Sequence, residues 1–326
     1  MVTGGCGFIG RHLVQALVEQ DQPVRVLDLN PGPETARGKV DVWRGSVLDK
    51  DLLFNAMQGV TVVYHLAAIP HLWSLNPSDF HRVNVEGTQS VLEVAQHAGL
   101  SKLIYTSSET VLRGWRDQSI EAISEASPQP EPDEMLGPYS RSKLLAERKV
   151  MEAVKQGLPA VIVYPSIPIG AGDVNLTPPT RMIRDFLDGK TLAYLECTLN
   201  LIPVKAVAEG HIAARKYGSA GSRYILGQDN LKMSELLRLM EKKLGKKMPR
   251  RRVPYTVALA TAKTMEFVAR YTRKIPQASV EGVRLAGANM KFDCSKARDE
   301  LQLPHYSLSQ ALWDTAEWLK ETGYIK

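Results

Sequence analysis

The sequence predicts an α/β fold, a doubly wound parallel sheet with a smaller lobe interleaved toward the C-terminus. Three observations predict it. A glycine string, Thr3-Gly4-Gly5-Cys6-Gly7-Phe8-Ile9-Gly10, opens a helical pattern. Short apolar runs then alternate with helical patterns to about residue 165, as strands joined by crossover helices do. Those runs end in small and hydroxyl residues, and the carboxyl ends of such strands are where a doubly wound sheet collects its ligands.

Only Met1 and Val2 precede Thr3, so the first strand either is very short or begins upstream of this sequence. Gly4, Gly7 and Gly10 fall three apart, which lets backbone N–H groups approach a pyrophosphate that side chains would hold off. Over Arg11 to Gln20, Leu13, Val14, Leu17 and Val18 recur at helical spacing. The loop therefore feeds a helix N-terminus with free N–H groups and partial positive charge. Pro23 to Leu27 reads as a strand ending at Asp28, about 20 residues beyond the glycines, where an acid contacts a ribose hydroxyl. A carboxylate there accepts from the ribose of NAD and repels the 2′-phosphate of NADP, although Arg25 and Arg37 lie nearby and would soften that repulsion. A glycine turn without a ligand is the plainer alternative; the loop–helix context and Asp28 favour the cofactor.

Val60 to Tyr64, Lys102 to Tyr105 and Ala160 to Val163 read as buried parallel strands. They run into His65-Leu66-Ala67-Ala68, Thr106-Ser107-Ser108 and Tyr164-Pro165-Ser166. Tyr139 and Lys143, four apart in a helical stretch that continues through Leu144, Ala146 and Val150, share one face. A nearby ammonium lowers a tyrosine pKa, and a cationic nicotinamide would act the same way. The pair then supplies a base for alcohol oxidation or an acid for carbonyl reduction. Ser108 is placed on the substrate oxygen and Ser107 as a turn cap. Taken alone, Tyr-x-x-x-Lys is equally a surface helix pair; the features upstream of it turn the balance toward chemistry.

At these residues the chain resembles the extended short-chain dehydrogenase/reductase (NAD-dependent epimerase/dehydratase) family. The motifs are the glycine string, His65 to Ala68, Asn84-Val-Glu-Gly-Thr88, Tyr105 to Ser108 and Tyr139-x-x-x-Lys143, in family order along essentially the whole chain. Within it the chain resembles the dihydroflavonol 4-reductase-like branch, in particular its hopanoid-associated sugar epimerase-like members, through residues 133–139, 164–170, 177–187 and 223–227. The 3β-hydroxysteroid dehydrogenase branch is next. The resemblance implies a Rossmann-type domain binding NAD, with NADP disfavoured by Asp28. It implies that Ser108 polarises the substrate oxygen, that Tyr139 transfers the proton, that Lys143 holds the nicotinamide ribose and tunes Tyr139, and that Asn84 is an auxiliary fourth member. The implied cofactor set is Gly4, Gly7, Phe8, Ile9, Gly10, Asp28, Ser46, Val47, Leu66, Ala67, Ala68, Thr106, Tyr139, Lys143, Pro165, Ser166 and Ile167. It also implies a homodimer formed by the helices at Asn84–Ala98 and Tyr139–Val154. Three positions depart from the family. Gly45-Ser46 replaces Gly-Asp, an acidic pair is missing after Leu201 to Ala206, and the Asn that nucleotide-sugar epimerases commonly carry after the strand ending here at Tyr164-Pro165-Ser166 is missing. The last weighs against a UDP-sugar.

A chain of 326 residues, 44% hydrophobic and 23% charged, is ordinary for a globular protein of one or two lobes. No apolar run approaches the roughly 20 residues of a membrane span. No secretory signal is expected ahead of the glycine loop. Cys6, Cys197 and Cys294 lack metal-ligand spacing, so no metal is expected and a reduced, cytoplasmic setting fits; Cys6 reads as a small filler. Much of the +6 net charge lies in Lys242, Lys243, Lys246, Lys247 and Arg250 to Arg252, ahead of an apolar stretch from Val253 to Tyr271. We read this as a solvated basic face beside a lobe helix, with peripheral membrane contact as the alternative. No nucleic-acid motif accompanies the charge.

The expected division is a cofactor domain over residues 1–165 plus about 191–218, and a substrate-binding lobe over about 166–190 plus 219–326. Leu199 to Lys216 is expected to return a strand and helix to the sheet, with Arg223 to Leu226 a lobe strand. Thr110 to Leu136 is expected to loop over the active site. Trp73, Glu109, Thr110 and Pro168 are the candidate substrate contacts, although Trp73 equally packs under a loop. That apolar lining suits hydride transfer to or from an aromatic, terpenoid or steroid-like alcohol or ketone. The alternatives are a sugar epimerase or dehydratase without net cofactor turnover, and a catalytically idle NAD-binding subunit.

Overall fold

The strands whose sequences are apolar throughout lie buried between two layers of helix, and their side chains alternate between the layers. The computed structural model describes residues 1–30, 40–114 and 122–325. Arg37 and part of the predicted active-site loop lie outside the described residues. Seven parallel strands form the main sheet: β1 (Val2–Thr3), β2 (Val24–Asp28), β3 (Val40–Arg44), β4 (Val62–His65), β5 (Lys102–Thr106), β6 (Ala160–Pro165) and, from further along the chain, Arg223–Leu226. β1 lies inside the sheet, flanked by β2 and β4, so the chain order reverses beside it. That reversal opens the crevice in which doubly wound sheets bind ligands.

On one face, α1 (Phe8–Glu19) buries Leu13, Val14 and Leu17 against Val24, Val26, Ile104 and Val163. On the other, Leu103, Tyr105, Ile162 and Tyr164 pack with α2 (Lys50–Ala56) and a long helix that begins at α3 (Ser78–Phe80), passes through a π-helical segment, His81–Glu86, and continues as α4 (Gly87–His97). α5 (Pro138–Lys155) completes that layer and carries Tyr139 and Lys143. Proline at its first turn loses no helical hydrogen bond, because that N–H has no intrahelical acceptor.

A second core lies beyond the sheet. It is built on β7 (Ile167–Ile169), α6 (Pro178–Leu187), β8 (Ala193–Tyr194) and β9 (Thr198–Pro203). α7 (Val204–Tyr217) then returns to the main sheet, packing on α1. The strand that returns with it is β10 (Arg223–Leu226), paired with β6, whereas β9 sits in a three-stranded sheet between β7 and β11 (Asp229–Lys232). This reverses the expected membership of the two strands. Both are short and apolar, and only the non-local pairing tells them apart. α8 (Met233–Leu244), β12 (Arg251–Arg252, paired with β8), α9 (Tyr255–Thr272), α10 (Val280–Ala288), α11 (Ser295–Glu300) and α12 (Leu308–Glu321) follow.

The described part of the predicted active-site loop does more than cover a cleft. Ile123 is buried in the core beneath the α4–α5 layer, and the Glu125 carboxylate accepts from Ile225 N at 2.6 Å, which blocks the open edge of β10.

Candidate active site

The cleft at the sheet reversal begins with glycines packed against backbone. Gly4 has φ +70°, and a Cβ there would lie 2.8 Å from the Ala67 backbone. A Cβ on Gly10 would lie 2.2 Å from Gly4 O. Side chains at either position would break the turn that points the N-terminus of α1 into the cleft. Asp28, at the end of β2, accepts from Cys6 N (2.9 Å, Oδ2) and Asn30 N (3.0 Å, Oδ1). The glycine loop thereby fixes the carboxylate. Ser46 Oγ accepts from Leu48 N at 3.1 Å. From here a cavity of about 890 Å³ runs past Leu66, Ala67 and Ala68 to Ser108, Tyr139 and Lys143, with Pro165, Ser166 and Ile167 opposite. Ser166 Oγ is buried and has no hydrogen-bond partner among the described residues. The glycine cradle, the fixed carboxylate and this unsatisfied hydroxyl fit a dinucleotide.

Lys143 is buried. Its Nζ donates to Thr106 O at 2.6 Å and lies 4.8 Å above the Tyr105 ring. Burial lowers its pKa to about 7, a fall that Glu147 partly offsets. Tyr139 is pushed up to about 12, chiefly by burial; the Ser108 hydroxyl bonds to it and lowers it, while Glu281 and Glu109 raise it. The expected depression by the lysine is therefore not what the chain provides. Lys143 directs its charge at a carbonyl, and Tyr139 is a phenol at neutral pH. Its ring meets Phe80 edge-on at 6.2 Å between centroids.

The turn cap falls to Ser108 rather than Ser107, while Ser108 keeps its expected place beside Tyr139. Ser108 Oγ caps the turn Glu109–Leu112, accepting from Thr110 N at 3.3 Å, and still faces Tyr139. Ser107 Oγ donates to Glu147 at 2.6 Å, beside Tyr164, which donates to the same carboxylate at 2.6 Å. Asn84 does not reach the cavity. Its side chain, inside the π-helical segment, accepts from Ile69 N (2.8 Å) and donates to Ser142 Oγ (2.9 Å), and so joins the cleft wall to α5. π-helical segments recur at functional sites.

Glu109, Thr110 and Pro168 line the far end of the cavity, and Trp73 does not; its neighbour Leu72 does. Glu109 pairs with Arg113 at 2.6 Å, both buried. Arg113 also donates to Leu285 O at 3.1 Å. The rest of the wall includes the apolar Val174, Pro178, Met182, Leu199, Met233 and Leu285, mostly from the second core and α10, together with the polar Asp79, Arg82, Asn175 and Thr177. Sequence reasoning did not anticipate these residues, since nothing local marks them. It also missed Glu281 of α10. The Glu281 carboxylate accepts from Tyr139 N (3.0 Å), Ser140 N (2.8 Å) and Ser140 Oγ (2.5 Å), capping the helix that carries the tyrosine. Among the described residues no group of His, Cys, Asp and Glu could hold a metal ion, and no helix is long and apolar enough to cross a membrane.

Known proteins share this plan. The sequence model of the 3-beta hydroxysteroid dehydrogenase/isomerase family matches residues 1–222. A dihydroflavonol 4-reductase-like protein of Synechocystis is 36% identical, over 100% of this chain and 95% of its own. Sterol demethylase protein B of Methylococcus capsulatus is 27% identical, over 100% and 99%. Among solved structures, UDP-glucuronic acid 4-epimerase from Bacillus cereus, in complex with UDP-glucuronic acid and NAD, superposes with a TM-score of 0.78 at 25% identity, covering 98% of each chain.

Proposed function

The chain belongs to the 3-beta hydroxysteroid dehydrogenase/isomerase family, within the NAD-dependent extended short-chain dehydrogenase/reductases, and we propose that it transfers a hydride between NAD and a hydrophobic alcohol or ketone. The class of substrate is aromatic, terpenoid or steroid-like. The observation that carries this reading is the cavity itself: one cleft joins the glycine loop to Tyr139 and then continues between walls that are mostly apolar.

Gly4, Gly7, Gly10 and the N-terminus of α1 would hold the pyrophosphate, Asp28 the adenosine ribose and Lys143 the nicotinamide ribose. The bound nicotinamide supplies or accepts the hydride. Tyr139 gives its phenolic proton to the substrate carbonyl oxygen, and Ser108 hydrogen-bonds that same oxygen. Held near 12, Tyr139 is in its protonated form at neutral pH, the form that donates to a carbonyl oxygen. The Asp28 carboxylate supports NAD over NADP. We assign the cofactor to the seven-stranded sheet and the substrate to the second core with α8 to α12. The helix pair of α4 and α5 is the proposed face of a homodimer.

Epimerisation without net turnover has the likeness to the Bacillus cereus enzyme in its favour. The mostly apolar wall and the lack of an Asn directly after β6 weigh against it. Tyr139→Phe should lower hydride transfer from NADH by about 10²–10⁴ while NADH binding, read by fluorescence, persists. A variant as active as the parent would remove Tyr139 from the mechanism.

A further inference from the structure

Helix α9 turns little of itself toward the protein. Of its 18 residues, two, Ala262 and Ala269, are buried. Val257, Ala260, Thr264, Phe267, Val268 and Tyr271 recur at helical spacing and share the opposite face. That outward face carries no charge. Phe267 is 60% exposed and Tyr271 76%, and their rings meet edge-on at 5.2 Å. Ile275, just past the helix, is also exposed. A bond from Gln277 Nε2 to Thr191 Oγ1 (3.1 Å) brings alongside it the turn bearing Leu192, which is 80% exposed. Solvated helices place polar residues outward, and an apolar stretch of this extent marks a surface that meets a partner.

The surrounding charge identifies that partner. Residues 242–275 hold eleven Lys or Arg and one acid, Glu266, a local charge of +10 against +6 for the whole chain, so the rest of the protein is net acidic. Glu266 is committed inward, accepting from Val280 N at 2.7 Å. Arg250 and Arg252 pair with Glu241 and Glu196, but Lys263, Arg270, Arg273 and Lys274 are exposed and in no ion pair among the described residues. We propose that α9 docks the protein on an anionic phospholipid bilayer, lying in the interface with Phe267 and Tyr271 inserted and the basic rim on the headgroups. A second copy is disfavoured as the occupant, since two such faces would oppose like charge. α9 packs on α10, whose Leu285 lines the cleft, so docking would hold the cleft one helix away from the lipid. The proposal does not depend on the reaction assigned above.

Flotation of the full chain with phosphatidylglycerol–phosphatidylcholine vesicles, against phosphatidylcholine alone, tests it. Binding should need the anionic lipid, weaken with salt, and fall about tenfold or more in Phe267→Glu/Tyr271→Glu and in Lys263→Glu/Arg270→Glu, with melting temperatures unchanged. A parent that does not float overturns the proposal, as does binding that both double variants retain. A dimer in sedimentation that Phe267→Glu/Tyr271→Glu dissolves, from a parent that does not float, assigns the face to a second copy instead.

Discussion

A phenol held near 12 and an ammonium brought down to about 7 lie one helical turn apart on α5, and burial moves both. Their spacing was legible in the sequence because it is local. Their electrostatics were not, because the groups that act on Tyr139 come from Ser108, Glu109 and Glu281, far apart in the chain. The turn cap expected of Ser107 was misplaced for the same reason: the acceptor that claims Ser107 is Glu147, on α5. Asp28 was readable, since its place at a strand end needs no distant partner. Asp28→Ala should weaken NAD binding by on the order of ten- to a hundredfold, the loss of hydrogen bonds to a charged acceptor, and should narrow the preference over NADP. Titrating each cofactor against intrinsic fluorescence checks this. An unchanged NAD affinity would remove the ribose contact.

At the scale of the element, α5 is the part that the second core controls. Its first-turn N–H groups are satisfied by Glu281, whose neighbours Gly282 and Leu285 line the substrate end of the cavity. Glu281→Ala should cost about 0.5–2 kcal/mol in denaturant unfolding, as lost helix caps do. Glu281→Gln keeps an acceptor but removes the charge that raises Tyr139. Tyr139 should then titrate at lower pH, so the alkaline loss of reductase activity moves down. A pH profile of kcat/KM identical to the parent's would leave Glu281 a structural cap only. Helix periodicity predicted α1 and α5 within a few residues, because each buries one apolar stripe, and the family resemblance supplied α4. It could not predict the π-helical segment at His81–Glu86, which places Asn84 on Ile69 and Ser142 rather than in the cleft.

At the scale of the molecule, the doubly wound sheet was legible from its apolar runs and their hydroxyl-rich ends, whereas the exchange of β9 and β10 was not. The central strands are tied by buried neutral histidines. His65 joins Thr3 (2.7 Å) to Thr88 (3.0 Å), and His211 joins Thr106 (2.8 Å) to Val207 O (2.8 Å). Burial lowers them to about 3 and about 4. Above their ordinary value near 6.5 both are neutral folded or unfolded, so they add no pH dependence. Below it the unfolded chain takes up protons that the folded chain refuses. Stability should therefore fall with falling pH, by up to roughly 1.4 kcal/mol per unit for each, until the folded values are reached. Urea midpoints from neutral pH downward should show this, and His65→Gln should flatten part of the slope. A parent slope that the variant keeps in full would assign the acid sensitivity elsewhere.

The central claim is net hydride transfer to a hydrophobic substrate. It is tested most directly by following reduced-nicotinamide absorbance with NADH and a panel of aromatic, terpenoid and steroid ketones, then NAD and the matching alcohols, with UDP-sugars as the contrasting set. The account predicts stoichiometric cofactor turnover with at least one hydrophobic pair, lost in Tyr139→Phe. No net change across the panel, with a UDP-sugar epimerised instead, would contradict it.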